Sequence, residues 1–180
     1  LSRIHSTALC SIRRAIQSVS DRLCSTRSRS FDFMQKEEID FGGEWWTTPA
    51  EDDNGHLLMV TGREDVNKFR SNPRFCIRVE ISWKYGGEEM PSEKDGTADL
   101  VEQADTGLRS VFHKDPVAVL TGVFTGGGER TWVFYTLSTH IFQKKINEAL
   151  ADLPLLPLEI SAENDPGWDA YAEMEELKGC

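Results

Sequence analysis

Apolar and polar side chains alternate without a break from Arg74 to Tyr85. Phe75, Ile77, Val79, Ile81, Trp83 and Tyr85 fall on one side, and Cys76, Arg78, Glu80, Ser82 and Lys84 on the other. That period of two predicts a strand with one apolar and one polar face, closed by Gly86-Gly87. The period then changes. After Pro91-Ser92, Ala98, Val101, Ala104, Leu108, Val111 and Phe112 recur at helical spacing and predict a helix through Phe112. Gly107 lies inside that stripe, where it costs up to about 1 kcal/mol relative to alanine and leaves the helix open to a break.

Two β-rich runs follow, Val117 to Thr125 and Arg130 to Leu137, joined by Gly126-Gly127-Gly128-Glu129 as a hairpin. Trp132, Val133, Phe134, Tyr135 and Leu137 make the second run apolar on both sides, as in a central strand covered on both faces. Thr139 is placed to cap a helix whose Phe142, Ile146, Ala149 and Leu150 share a face, with Pro154 as its stop. Leu155 to Ile160 reads as a short strand, and Pro157 within it argues for an edge or a bulge. Asp165-Pro166 then pairs an N-cap residue with proline at the first helical position. Trp168, Tyr171, Met174 and Leu177 line one side of that last helix.

From Arg74 to Ile160 the predicted order is β-α-β-β-α-β, the split βαβ arrangement of a ferredoxin-like α+β fold. Ahead of it, Glu44 to Thr48 and His56 to Thr61 flank Asp53-Asn54-Gly55, a hairpin signal. The expected architecture is an antiparallel sheet with two helices on one face, an N-terminal β-hairpin and a C-terminal helix that buries Trp168.

Composition divides the chain in two. Residues 1–33 hold six arginines, no lysine, two acids and eight serines. This is the composition of an organellar transit peptide; the change of composition at Met34 also fits a segment that is not native coding sequence, and a genuine ordered extension is the third reading. Residues 34–180 are expected to be a single domain, with the leader disordered or non-native. The leader is too polar for a secretory signal, which favours a cytoplasmic location. The 180-residue chain carries a formal charge of -10, which disfavours direct nucleic-acid binding over a broad surface. No apolar run approaches the roughly 20 residues a membrane span needs.

Familiar chemistry is scarce. The Gly126-Gly127-Gly128 run joins two strands, whereas a phosphate-cradling loop leads into a helix. Glu51 to Gly55 resembles a calcium loop, but its twelfth position falls on Thr61, so the bidentate acid is missing. Cys10, Cys24, Cys76 and Cys180 are too scattered for a disulfide scaffold, and His56, His113 and His140 show no metal-ligand spacing. No serine elbow is present, no catalytic set emerges, and no cofactor is implied.

Two features stand out. No basic residue lies between Lys145 and Lys178, a stretch that includes Glu163, Asp169, Glu173 and Glu176. Such an anionic face suits a basic partner. The adjacent Trp45 and Trp46 cannot both face one side of a strand, so one of them must be covered by a loop or helix or be left for a partner.

The C-terminal half carries Thr131-Trp132-Val133-Phe134-Tyr135, then Asn147-Glu148-Ala149-Leu150, then Leu155-Leu156-Pro157-Leu158-Glu159-Ile160, then Asp165-Pro166-Gly167-Trp168-Asp169-Ala170-Tyr171. In that order they resemble the domain of unknown function 695 family, over Trp45 to Met174. The closing signature also resembles the regulator of ribonuclease E activity B, a ferredoxin-like protein that binds and restrains a ribonuclease. These resemblances imply a non-catalytic regulatory module and supply no catalytic residues.

The leading expectation is therefore a protein-interaction module for a basic partner such as a ribonuclease, using Trp45, Trp46, Glu163, Asp169, Glu173 and Glu176. The alternative is a small-molecule-binding or enzymatic domain on the polar strand face of Cys76, Arg78, Glu80 and Lys84. A homo-oligomer burying the second sheet face, with Val133, Tyr135 and Leu137, stays open.

Overall fold

The computed structural model describes residues 43–52, 54–86, 90–114 and 117–178. The leader, Asp53, Gly87 and three of the four cysteines lie outside them. Strands β1 (Trp45–Glu51), β2 (Leu57–Arg63), β3 (Ile77–Lys84), β4 (Ala118–Gly126), β5 (Glu129–Thr136) and β6 (Leu158–Asn164) form one antiparallel sheet, ordered β1-β2-β4-β5-β3-β6. Four helices accompany it among the described residues: α1 (Asn67–Arg70), α2 (Thr97–Lys114), α3 (Thr139–Ala149) and α4 (Asp169–Glu175). The fold is α+β.

The sheet separates two cores. On one side Val79, Ile81 and Trp83 of β3 and Trp132 and Phe134 of β5 meet Leu108 and Phe112 of α2 and Phe142 and Ile146 of α3. Phe112, Phe134 and Phe142 form a mutual cluster with ring centroids 5.0–5.1 Å apart. Gly107 does not break α2. A Cβ there would collide with the Ala149 carbonyl of α3, so the glycine serves a close helix–helix approach. On the other side Val60, Val119 and Tyr135 lie beneath Phe69, Trp168, Tyr171 and Met174. The alternation of β5 thus places Trp132 and Phe134 in one core and Tyr135 in the other.

Several boundaries differ from expectation. Helix α2 begins at Thr97, not at Pro91-Ser92, because Gly96 adopts φ +79° and interrupts the helical backbone just before it. Ser138 rather than Thr139 caps α3, its hydroxyl accepting the Ile141 N–H. The hairpin between β4 and β5 tightens to Gly127-Gly128, both at positive φ, as a two-residue primed turn requires. Strand β6 starts at Leu158, three residues late: Pro154 and Pro157 have no N–H to donate, which keeps their segment out of the ladder. It is an edge strand, as Pro157 suggested. Strand β3 starts at Ile77, and Phe75 belongs to the second core, edge-on to Phe69.

Candidate functional site

The D-P-x-W-x-x-Y signature builds the platform for α4. Asp165 precedes the helix rather than capping it at Ncap: its carboxylate accepts the N–H groups of Asp169 and Ala170 and the Tyr135 hydroxyl, the last at 2.5 Å. Trp168 holds the position before the helix at φ 59°, ψ 37°. That left-handed backbone lays its indole 3.8 Å from the Tyr135 ring, nearly parallel, and lets Nε1 donate to the Phe75 carbonyl. Tyr171 donates to the Arg63 carbonyl. Burial, reinforced by the Asp165 carboxylate, pushes the Tyr135 hydroxyl well above the usual phenol range. The phenol is a permanent donor here, not an acid-base group.

With Trp168, Tyr171 and Met174 buried, the outer side of α4 presents Asp169, Glu173 and Glu176, all exposed. Their spacing puts them on neighbouring turns of one edge. Glu163 stands apart from that stripe: it lies on β6 and accepts from Arg78 at 2.7 Å.

The two early tryptophans separate as their adjacency demands. Trp46 packs against the second core, its ring across Gly62, where a Cβ would collide with it. Trp45 faces the α2 side and is half-buried. Beside it is a cavity of about 300 Å³ between β1, β2, β4, β5 and the second half of α2. Its rim includes Arg63, Arg109 and His113, with the Arg109 guanidinium 4.7 Å from the Trp45 ring centre. Arg63 is buried and held by Asp65 through two hydrogen bonds, which draw the Asp65 carboxyl below its ordinary range. Sequence reasoning missed the rim. Arg109 and His113 are one helical turn apart, but that spacing is common on any solvated helix.

On the polar face of β3, Arg78 and Glu80 are buried while Lys84 is exposed. Arg78 and Glu80 are 8% and 4% exposed, and Arg78 Nε lies 3.1 Å from Glu80 Oε1. Cys76 is half-buried with a free thiol, while Lys84 is exposed and paired with Glu159 at 2.9 Å. Burial raises the Glu80 carboxyl above its ordinary value of 4.5, and Arg78 only partly opposes this against Glu163 and Glu129. In the folded state Glu80 therefore holds its proton to higher pH than in the unfolded chain. Its contribution is complete below pH 4.5 and is lost as pH rises through the folded-state value. The stability of Glu80→Gln relative to the parent, measured by urea unfolding across pH 4–8, should rise through that window by about 1.4 kcal/mol per unit of upward displacement.

Among the described residues, no three His, Cys, Asp or Glu side chains converge as metal ligands would, and no helix is long and apolar enough to cross a membrane. Fold and surfaces together define an α+β protein with a sheet covered on both faces, a rigidly seated acidic helix and a cavity with a cationic rim. The chain belongs to the family of unknown function DUF695, which matches residues 44–174. No curated protein matches it. Among solved structures it is similar to a conserved hypothetical protein, Aq1575, from Aquifex aeolicus, at 13% identity and a TM-score of 0.25; the match covers 75% of this chain and 58% of that one.

Proposed function

We propose that this chain is a non-catalytic binding module that presents the outer edge of α4 to a basic protein segment. The observation that carries this reading is the seating of α4. A seven-residue helix is too short to hold itself in water, yet Trp168, Tyr171 and Met174 fix its inner side. Asp169, Glu173 and Glu176 are thereby held ready, and little ordering remains to oppose docking. The resemblance of the closing signature to a ribonuclease regulator makes a ribonuclease with basic segments the partner class to try first.

The scaffold we propose is a ferredoxin-like split βαβ unit, β3-α2-β4-β5-α3-β6, extended by the β1–β2 hairpin. Its support is the order β4-β5-β3-β6, in which each helical connection passes over one intervening strand, with both helices on one face.

The test is capture of a basic ribonuclease scaffold peptide by the full chain and by Glu173→Lys/Glu176→Lys. Capture at about 0.1 M salt should disappear at about 1 M, where screening shortens to roughly 3 Å, and should fail in the variant. Capture that is indifferent to both changes would overturn the electrostatic reading.

A further inference from the structure

The cavity beside Trp45 lies across the sheet from α4 and is independent of the acidic stripe. We infer that it is a binding site for a small organic carboxylate with a compact, flat apolar body. Its floor is Leu108, Phe112, Ala118, Leu120 and Phe134, all buried and all without a polar side-chain atom. Such a floor recognises hydrocarbon and offers nothing to a hydrogen-bonding ring. The volume of about 300 Å³ is at the lower bound of ligand pockets, which restricts the body to about one ring system.

The rim supplies the charge selection. Among the described residues, none that lines the cavity is acidic, in a chain with 30 Asp and Glu against 20 Lys and Arg. Arg63 is already matched by Asp65, so it contributes shape and hydrogen-bonding direction more than net charge. Arg109 differs. It is exposed, makes no ion pair among the described residues, and is stationed over the face of Trp45. The nearby acid on α2, Asp105, is engaged by Arg130 at 2.5 Å and by the Trp132 indole N–H. Arg109 therefore brings a positive charge to the mouth of an apolar hole, with the indole limiting the directions its guanidinium takes. A planar guanidinium presents paired donors that fit both oxygens of a carboxylate. A ligand carboxylate on Arg109 would leave its hydrocarbon body over the apolar floor, beside Trp45.

Phenylacetate is the probe, with acetate and 2-phenylethanol as its two halves. Each is titrated into the full chain by calorimetry and followed by tryptophan fluorescence. The expected result is saturable phenylacetate binding, at least tenfold tighter than either comparison compound. Arg109→Gln, an exposed position that leaves the core untouched, should weaken phenylacetate at least tenfold and leave 2-phenylethanol unchanged. Equal binding of acid and alcohol, equal binding of acetate, an unaffected variant, or no phenylacetate binding up to about 10 mM, tenfold beyond a Kd of about 1 mM, or about −4 kcal/mol, would each overturn the assignment.

Discussion

Trp168→Ala is expected to lower the stability of the chain by about 3–5 kcal/mol, the range for removing a buried aromatic from a packed core. The indole is 1% exposed, stacks on Tyr135, meets Tyr171 edge-on and donates to the Phe75 carbonyl. Its backbone sits in the left-handed region, which costs a bulky residue roughly 1–2 kcal/mol and survives only where the side chain is strongly held. Alanine keeps the backbone penalty and loses the ring. Trp168→Gly removes both, so it should be less damaging than its cavity alone would suggest. Trp168→Phe keeps the stack and loses the hydrogen bond, leaving the Phe75 carbonyl short of a partner at about 1–3 kcal/mol. Urea unfolding followed by tyrosine and residual tryptophan emission orders the three variants. A loss below about 1 kcal/mol for alanine would mean that Trp168 is not the anchor of α4.

The alternation of β3, the two-faced apolar run of β5 and the stripes of α2 and α3 are legible because each is a local period repeated often enough to dominate its window. The signature helix is legible for a related reason: Trp168, Tyr171, Met174 and Leu177 share one side at helical spacing, and the first three of these are the buried ones. What local pattern misses is what covers a face. Arg78, Glu80 and Ser82 read as the polar side of β3, and nothing in residues 74–85 announces that Arg78 and Glu80 are buried there. Gly107 reads as a weak point because the Ala149 carbonyl it accommodates is 42 positions away in the chain. The cavity escapes for the same reason: Arg63, Arg109 and Phe134 come from three elements that share no sequence window.

The buried pair on β3 separates structural from functional readings of that face. Arg78→Ala is expected to cost about 3–5 kcal/mol at neutral pH, because it strands Glu80 in a covered site without its counter-charge. Loss of the second contact, to the half-exposed Glu163, adds little, since a screened carboxylate regains water readily. Glu80 already binds its proton more tightly than an ordinary glutamate, and without Arg78 it would bind it more tightly still. Protonation then relieves the stranded charge, so the penalty of Arg78→Ala should shrink as pH falls from 7 towards 5. The double variant Arg78→Met/Glu80→Leu removes both charges and keeps most of the volume against Tyr135 and Val133, the partners directly across on β5. It should recover most of the lost stability, as apolar replacements of buried ion pairs commonly do. Chemical denaturation of the parent, the single and the double variant at pH 5 and 7 gives both contrasts. If the double variant unfolds as easily as the single, Arg78 stabilises the sheet through its contact with Glu163 of β6 more than through Glu80. If it recovers, the Arg78–Glu80 pair is structural, which removes the motive for a small-molecule or enzymatic site on that face.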